Sequence, residues 1–317
     1  MRIGILDDYL DTVLTSADWS ALPDDCEVEV FNKNIPPEQA AQTLGKFDVL
    51  VATRERMPFP AAVVDRLPNL KLLVTTGMNN RAIDLAACKK RGIVVCGTPS
   101  MNGSTLELTW ALVLGLAKHI PLNDKTMKSG GWQAAMGMSL YRKTLGVVGL
   151  GKIGSGSAAM GKLLGMDVLA WSPNLTAARA AEQGVSAVDK KTLFSRSDVI
   201  VVHMVLSEKT QNLIGKAEFD AMKPTALLVN TSRGPLIDEK AILEALDSGK
   251  IGGAGLDVYW QEPLPADHPI RKARNVLLTG HMGYNTAENA VIVYPAAIEN
   301  ILAWRAGTPI RMLAEKK

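Results

Sequence analysis

The sequence has few of the features that mark secreted, membrane or metal-binding proteins. It contains three cysteines, Cys26, Cys88 and Cys96, an odd number without metal-ligand spacing. We therefore expect reduced thiols, buried as small hydrophobic side chains, and no metal site. The longest apolar run, Leu108 to Ala117, is about half the ~20 residues that a membrane span needs. The first residues, MRIGILDDY, place acids where a signal peptide would continue its apolar region, so a cytoplasmic protein is predicted.

The sequence also lacks a strong excess of charge of either sign. Its 35 Lys and Arg residues nearly balance 32 Asp and Glu residues, for a net charge of +3. This balance argues against a nucleic-acid partner, because binding to a polyanion needs a basic surface. With 317 residues, 47% of them hydrophobic, the chain can bury a substantial core and is expected to form two domains.

Short apolar, β-branched runs alternate with helical patterns along the whole chain, which predicts parallel sheets flanked by helices. The first series of strands is RIGIL (2–6), VEVF (28–31), DVLVAT (48–53), LKLLVTT (70–76) and IVVC (93–96). The second series is TLGVVGL (144–150), DVLAWS (167–172), DVIVVH (198–203), TALLVNT (225–231), GGAGLDV (252–258) and NVLLTG (275–280). Two series of strands predict two α/β domains with doubly wound parallel sheets.

The segment between the two series predicts a long, largely buried helix that joins the domains. Asn102 to Thr105 supply residues that favour a helix N-terminus, and the apolar run after them ends at Pro121. After Gly283 a single helical pattern remains, which is too short for a domain. We therefore expect a substrate domain of residues 1–100 and 284–317, with a flavodoxin-like fold, and a Rossmann cofactor domain of residues 101–283 inserted within it.

The segment GLGKIG follows one predicted strand and opens a helical pattern, which is the context that makes a GxGxxG sequence informative. Gly149 permits a tight turn, Gly151 lets backbone N–H groups approach a pyrophosphate, and Gly154 lets the helix lie close to the strand. The N-terminus of that helix then faces the anion. A dinucleotide cofactor is predicted.

The choice between NAD and NADP stays open in the sequence. The next strand should end in an acid that binds the ribose hydroxyls of NAD, but this chain has Ser172 there. Ser172 removes the carboxylate that would repel a 2′-phosphate, while the nearest arginine that can bind one is Arg179. We expect NADP to be at least tolerated.

Polar residues follow four strands of the second series, at the sheet edge where ligands bind in such folds. These residues are His203, Ser232 with Arg233, Asp257 and His281, and Glu262 follows in a Pro-bounded loop. Reduction of a ketone needs a proton donor, a cation for the substrate and an oriented nicotinamide. We assign the proton to His281, its support to Glu262, the substrate carboxylate and carbonyl to Arg233, and the nicotinamide carboxamide to Asp257.

Two other histidines are interpreted as structural. His268, in PADHP, is expected in a surface loop, and His119 is expected to cap the C-terminus of the connecting helix. His203 is expected to form a wall of the cofactor pocket.

These residues resemble the D-isomer-specific 2-hydroxyacid dehydrogenase family over nearly the whole chain. The resemblance rests on GLGKIG, on residues 230–265 and 275–283, which contain Arg233, Glu262 and His281 in that order, and on residues 75–93. It implies that these three residues are catalytic and that the chain transfers a hydride between NAD(P)(H) and a 2-oxo acid or D-2-hydroxy acid. It further implies a cofactor site that includes the following residues: Gly149, Gly151, Lys152, Ile153, Gly154, Ser172, His203, Leu206, Thr210, Thr231, Ser232, Asp257, Gly283 and Thr105.

The resemblance also implies a substrate site that contains Gly77, Met78 and Asn79, in a loop whose backbone N–H groups hold the substrate carboxylate, together with Arg233 and His281. The family usually has glycine at the position of Asn79, a residue that tolerates the left-handed region. It commonly has proline where this chain has Val205 and Gly280. Arg54 is a further candidate because, with Arg56, it follows the third strand and can bind a second acidic group; an exposed turn explains this pair equally well.

The resemblance implies a homodimer formed through the cofactor domain, with Leu108 to Ala117 and Gly130 to Trp132 as candidate surfaces. A helix buried within one subunit explains the first of these equally well. The expected substrates are small 2-oxo or 2-hydroxy acids, with glyoxylate or hydroxypyruvate reduction as the first hypothesis. Two alternatives stay open: a nucleotide-sensing, corepressor-like binding protein, and a short-form phosphoglycerate dehydrogenase. Because the chain ends at residue 317, the long phosphoglycerate dehydrogenases with a regulatory C-terminal domain are disfavoured.

Overall fold

The computed structural model describes residues 1–101 and 103–314. The chain divides into two compact units. Unit 1 contains Met1–Asn102 and Asn285–Lys317, and unit 2 contains Gly103–Tyr284. Unit 2 is therefore inserted into the sequence of unit 1.

Unit 1 contains a five-stranded parallel sheet with the order β2-β1-β3-β4-β5. Its strands are β1 (Arg2–Ile5), β2 (Glu27–Val30), β3 (Val49–Ala52), β4 (Leu72–Thr75) and β5 (Val94–Gly97). Its helices are α1 (Ala40–Leu44), α2 (Ala61–Val64), α3 (Leu85–Lys90) and, after unit 2, α11 (Ala287–Arg305); Val13–Thr15 and Trp19–Ala21 form 3₁₀ helices. The central strands β3 and β4 are buried along their whole length, as a parallel sheet covered on both faces requires. The order is that of a flavodoxin-like sheet, as predicted.

Unit 2 contains a seven-stranded parallel sheet with the order β12-β11-β10-β9-β6-β7-β8. Its strands are β6 (Thr144–Val148), β7 (Asp167–Trp171), β8 (Ser186–Ala187), β9 (Val199–Val202), β10 (Leu227–Asn230), β11 (Gly253–Leu256) and β12 (Val276–Leu278). Strands β6 to β11 lie in the order β8-β7-β6-β9-β10-β11, which is the strand order of a Rossmann sheet. This order confirms the predicted fold class. The two-residue strand β8 was missed in the sequence because it is too short to show an alternating pattern.

Seven helices of unit 2 accompany this sheet: α4 (Ser104–Ala117), α5 (Ile120–Lys128), α6 (Lys152–Leu163), α7 (Ala177–Glu182), α8 (Lys190–Arg196), α9 (Lys216–Ala221) and α10 (Glu239–Asp247). Gly234–Leu236 and Pro269–Lys272 are 3₁₀ helices. The N-terminus of α10 illustrates how the sequence starts these helices: the Asp238 carboxylate accepts the Ala241 N–H at 2.8 Å. Such a cap contributes about 1 kcal/mol.

The predicted connecting helix differs from the structure at both ends. α4 lies wholly in unit 2 and starts at Ser104 with Gly103 at its N-cap, without a side-chain hydrogen bond; Asn102, part of the predicted cap, lies outside the described residues. The helix ends at Ala117 and not at Pro121. Pro121 lies in the first turn of α5, where the missing N–H of proline costs no hydrogen bond. Between the two helices His119 adopts a left-handed conformation (φ 49°), and its N–H donates to the Leu116 carbonyl, a role close to the predicted cap.

None of the helices within residues 1–101 and 103–314 combines the length and apolar character that crossing a membrane requires. Cys88 and Cys96 are buried as predicted, whereas Cys26 is partly exposed.

Candidate active site

The glycine turn lies at the carboxyl end of β6. Here the strand order of unit 2 reverses, because β7 follows on one side of β6 and β9 lies on the other. Gly149 has φ +99°, and a Cβ atom added to it would lie 2.7 Å from the His203 carbonyl oxygen. A Cβ on Gly154 would overlap the Gly149 carbonyl oxygen, so α6 can approach the turn only with glycine at this position.

Gly151 differs from the other two glycines of this turn. A Cβ added to Gly151 would meet no atom within 4 Å, so packing within the protein does not explain this glycine. The open space lies at the N-cap of the twelve-residue helix α6, where backbone N–H groups and the helix dipole attract an anion. Lys152 and Ile153, which follow, are both exposed. The turn therefore fits the pyrophosphate of a dinucleotide.

His203 follows β9 and faces α6. Its Nε2 lies 2.8 Å from the hydroxyl of Ser157, a fully buried residue of α6. Removal from water lowers the pKa of His203 to about 4, so the imidazole is neutral near pH 7. His203 ties the end of β9 to α6, and its partner Ser157 could not be predicted from the sequence.

The loop after His203 is held by Thr210. The buried Thr210 hydroxyl accepts the Ser207 N–H and donates to the Val205 carbonyl, both at 2.7 Å. The bond to the Val205 carbonyl fixes the start of this loop. Leu206, between them, packs against the core of unit 2.

Ser172 directly follows β7 and is partly buried. Arg179 lies in α7 with its side chain exposed. The structure thus places a hydroxyl, and no carboxylate, at the end of β7.

The histidine and glutamate assigned to catalysis are in direct contact. Nδ1 of His281 lies 2.5 Å from Oε2 of Glu262, and the two side chains are 13% and 24% exposed. The other carboxylate oxygen of Glu262 accepts the Tyr259 N–H at 2.9 Å. The carboxylate is therefore fixed on both sides, and it orients the imidazole.

Asp257 shapes the loop that carries His281. Its buried carboxylate accepts the Thr279 hydroxyl at 2.7 Å, the Met282 N–H at 2.9 Å and the Gly283 N–H at 3.0 Å. Burial raises the pKa of Asp257, while these bonds oppose the increase. The His281 N–H donates to the Asp257 carbonyl at 2.7 Å, and His281 takes a left-handed conformation with φ 51°. Three protein donors thus already bind the carboxylate that the sequence assigned to the nicotinamide.

A chain of threonines continues this network. The Thr105 hydroxyl donates to the Gly283 carbonyl at 3.1 Å, and the Thr109 hydroxyl donates to the Thr105 carbonyl at 2.7 Å. The Thr109 and Thr231 hydroxyls lie 2.7 Å apart. Thr105 and Thr231, both assigned to the cofactor, therefore belong to one hydrogen-bonded system with the loop of His281.

Arg233 lies in a turn that Asn230 holds from inside the protein. The fully buried Asn230 amide donates to the Arg233 carbonyl at 2.8 Å and accepts the Ser232 N–H at 3.0 Å. The Ser232 hydroxyl donates to the Met204 carbonyl at 2.9 Å. A Cβ on Gly234 would overlap the backbone of Tyr259, the residue that donates to Glu262. Gly234 thus lets the Arg233 turn pack against the segment that holds the glutamate.

In unit 1, the loop 77–79 follows β4. Gly77 has φ +95°, and its N–H donates to the Thr98 hydroxyl at 2.9 Å, so this donor is already used. The Met78 and Asn79 N–H groups have no acceptor within residues 1–101 and 103–314. Of the three donors expected for a substrate carboxylate, two are therefore available at this loop.

Arg54 is held beside this loop in a left-handed conformation, φ 52°. Its N–H donates to the Thr76 hydroxyl at 2.9 Å, and its carbonyl accepts the Asn80 amide at 2.6 Å. A Cβ on Gly77 would overlap the Arg54 guanidinium. Arg54 is partly buried, so it is not the exposed turn residue that the sequence also allowed.

The side chain of His268 is more buried than its predicted position in a surface loop implies. Its side chain is 11% exposed, stacks on Trp260 with ring centroids 5.8 Å apart, and bonds Glu239 at 2.9 Å. It also caps a 3₁₀ helix by accepting the Ile270 N–H. In the described part of the chain, no three His, Cys, Asp or Glu side chains form a group that can hold a metal.

The Rossmann order of the sheet and the glycine turn define a protein with a dinucleotide-binding unit. The model of the D-isomer-specific 2-hydroxyacid dehydrogenase NAD-binding domain matches residues 110–283. The chain belongs to this family, as the sequence motifs predicted, and its unit 2 has the fold that takes a nicotinamide cofactor.

Relatives in this family carry several names. The chain is 38% identical over 288 residues to D-3-phosphoglycerate dehydrogenase of Archaeoglobus fulgidus, covering 90% of this chain and 54% of that protein. It thus spans about half the length of that relative. It is 33% identical to glyoxylate reductase of Korarchaeum cryptofilum, covering 91% of this chain and 89% of that one. The crystal structure of a phosphoglycerate oxidoreductase from Vibrio cholerae O395 superimposes with a TM-score of 0.91 at 34% identity, covering 97% of this chain and 99% of that chain.

Proposed function

We propose that the protein is an NAD(P)-dependent oxidoreductase that interconverts a 2-oxo acid and a D-2-hydroxy acid. The observation that carries this proposal is the 2.5 Å contact between His281 and Glu262. A protein that only senses nucleotide needs the glycine turn but has no use for an oriented proton donor. The pair therefore favours an enzyme over the corepressor-like alternative.

The arrangement gives each residue a chemical role. Glu262 occupies Nδ1 of His281, so Nε2 is the nitrogen that can exchange a proton with the substrate oxygen. A bound nicotinamide cofactor supplies the hydride for the carbonyl carbon. Arg233 polarises the carbonyl and binds the adjacent carboxylate through its planar guanidinium.

Unit 1 offers binding groups of its own. The Met78 and Asn79 N–H groups suit a substrate carboxylate, and Arg54 beside them suits a second acidic group. Glyoxylate and hydroxypyruvate are our first candidate substrates, supported by relatives named glyoxylate reductase and hydroxypyruvate reductase. A short-form phosphoglycerate dehydrogenase is the second candidate, supported by the relatives of that name.

We further propose that the enzyme accepts NADP as well as NAD. Ser172 at the end of β7 supports this, because a carboxylate there would repel a 2′-phosphate. Values of kcat/KM with the two reduced cofactors test the point, and a preference for NADH above about a hundredfold would contradict it.

A homodimer formed through unit 2 is also proposed. Leu108–Ala117 belongs to α4 and is mostly buried within unit 2, which favours the alternative of a helix buried within one subunit. Exposed apolar side chains instead lie on α5 and in the segment that follows: Ile120, Leu122, Met127, Trp132 and Met136. A surface of this kind favours association. Sedimentation velocity at micromolar concentration should show a dimer, and a monomer would contradict the proposal.

The free cysteines support a reducing, cytoplasmic location.

The enzyme proposal is tested by turnover of wild type and His281→Asn with glyoxylate, hydroxypyruvate, pyruvate and phenylpyruvate. The wild type should reduce at least one of them. His281→Asn should lower kcat by about 10²–10⁴-fold, the usual contribution of a general acid, while cofactor binding followed by fluorescence persists. His268→Asn is the matched control, since His268 also bonds a glutamate at 2.9 Å in unit 2. Near-normal turnover by His281→Asn would refute the assignment.

A further inference from the structure

Unit 1 has a strand-order reversal of its own. β2 lies on one side of β1 and β3 on the other, so the side on which successive strands are added changes between β1 and β3. In open parallel sheets, ligands bind beyond the carboxyl ends of the strands at such a point. Asp7, Asp8 and Tyr9 follow β1 here, and Arg54 and Arg56 follow β3. The sequence assigned a role to the two arginines but none to the residues after β1.

The two aspartates have different roles. Both carboxylate oxygens of Asp8 accept backbone N–H groups, from Thr12 at 3.1 Å and Val13 at 3.0 Å, so Asp8 shapes the following turn. Asp7 is 2% exposed and has φ 62°. Its Oδ1 accepts the Tyr9 hydroxyl at 2.9 Å, while its Oδ2 has no hydrogen-bond partner in the described part of the chain. A buried carboxyl in a left-handed residue is costly, and such costs are concentrated at functional sites.

Arg56 fixes the other side of Tyr9. Its guanidinium carbon lies 4.6 Å from the centre of the Tyr9 ring, and its Nη1 donates to the Asp7 carbonyl at 2.7 Å. The phenol is therefore held by its hydroxyl on Asp7 and by its ring under Arg56. Tyr9 nevertheless stays 39% exposed, which leaves it within reach of a ligand, unlike Asp7.

This geometry sets the hydrogen-bonding character of Tyr9. Burial and the neighbouring Asp7 carboxyl raise the pKa of Tyr9, so its hydroxyl keeps its proton. Because that proton is directed at Asp7, the phenol oxygen has only lone pairs left, and the Asn34 side chain already donates to one of them, so the oxygen can accept one further hydrogen bond. It suits a hydroxyl group, which can donate, and it disfavours an ionised carboxylate or phosphate, which cannot.

We propose that Tyr9 is a specificity-determining residue: its phenol oxygen, oriented by Asp7 and Arg56, accepts a hydrogen bond from a hydroxyl group on the side chain of the 2-oxo acid. This inference rests on the proposed function and adds to it a preference for 2-oxo acids with a hydroxyl group on the side chain. Hydroxypyruvate, which differs from pyruvate by one hydroxyl, is the simplest probe.

The test compares kcat/KM for hydroxypyruvate and pyruvate in wild type and in Tyr9→Phe. This substitution removes only the phenol oxygen from a partly exposed residue, and the thermal midpoint checks that the fold is kept. The matched control is Tyr141→Phe, which removes the phenol oxygen from an exposed tyrosine that also lies under an arginine, with 5.2 Å between the Arg142 guanidinium carbon and the ring centre.

The wild type should prefer hydroxypyruvate, and Tyr9→Phe should lower that preference about tenfold, the loss expected for one hydrogen bond in a binding site. Tyr141→Phe should keep the wild-type preference. An unchanged preference in Tyr9→Phe, or a wild type that favours pyruvate, would overturn the role of Tyr9 and leave the proposed oxidoreductase intact. A wild type that reduces neither these two acids nor glyoxylate and phenylpyruvate would instead reject the proposed function, and this inference with it.

Discussion

The loop of His281 in unit 2 and the loop 77–79 in unit 1 are held by different means. Carboxylates hold the first: Glu262 holds the imidazole of His281, and Asp257 binds three donors of the loop that carries it. Neutral side chains hold the second and its neighbour Arg54: the Thr98 hydroxyl accepts from Gly77, and the Asn80 amide donates to the Arg54 carbonyl. The first arrangement suits proton transfer, which needs a fixed acid. The second suits the binding of an anion by N–H groups.

The largest effect that can distinguish the role of unit 2 from that of unit 1 is expected at the glycine turn of unit 2. Gly151→Ala adds a methyl group to open space, so the fold should be kept. Its methyl should nevertheless displace the pyrophosphate and weaken cofactor binding about 100-fold, the loss of roughly two charge-assisted hydrogen bonds. Fluorescence titration with NADH and thermal unfolding measure the two quantities.

Gly154→Ala is the counterpart of this variant in the same turn. Its methyl overlaps the Gly149 carbonyl, so it should destabilise unit 2 by about 1–3 kcal/mol as well as weaken cofactor binding. A Gly151→Ala variant that binds NADH like the wild type would show that the open space is not the pyrophosphate site. Equal thermal stability of the two variants would contradict the packing argument.

A smaller effect is expected for Arg54→Ala in unit 1. The guanidinium beside Gly77 should stabilise a second acidic group of the substrate, so its removal should raise KM for a dicarboxylic 2-oxo acid about tenfold, at little cost in kcat. Arg66→Ala is the control, because Arg66 is an exposed arginine of the same unit. Steady-state kinetics with oxaloacetate measure the difference, and unchanged KM in Arg54→Ala would remove this residue from the substrate site.

The difference between the units also explains what the sequence could predict. The glycine turn and the pairing of Glu262 with His281 were predictable, because a GxGxxG sequence after an apolar strand, a glutamate in a Pro-bounded loop and a histidine after the last strand can be recognised in the sequence. The catalytic role of Arg233 stays a prediction. The parallel arrangement of both sheets followed from the alternation of strands and helices. The flavodoxin-like and Rossmann assignments are confirmed by the strand orders of the structure.

The supporting residues were not predictable in the same way. Asn80, Thr98, Asn230 and Ser157 act through hydrogen bonds to residues distant in sequence or through burial, and a single Thr or Asn carries no signal of either. Asp7 and Tyr9 were passed over because two acids after a first strand are usual at a solvated turn. The end of α4 was misplaced because a proline normally terminates a helix, whereas here it begins the next one.

The smallest of the expected effects concerns the end of β9. Here the neutral imidazole of His203 bonds Ser157 of α6, much as neutral side chains hold the loop 77–79 of unit 1. The pKa of His203 falls from an ordinary value of 6.5 to about 4 in the folded protein, so between these values the unfolded chain binds more protons than the folded one. Stability should therefore decrease as pH falls through this window. Because His203 as a whole residue keeps some exposure to solvent, we expect it to account for about 1 kcal/mol of the loss between pH 7 and pH 5. His203→Gln, measured by thermal unfolding without cofactor, should lose less stability over this range than the wild type. His119→Gln is the control, and should follow the wild type; a His203→Gln curve parallel to that of the wild type would show that the imidazole already titrates freely in the folded protein.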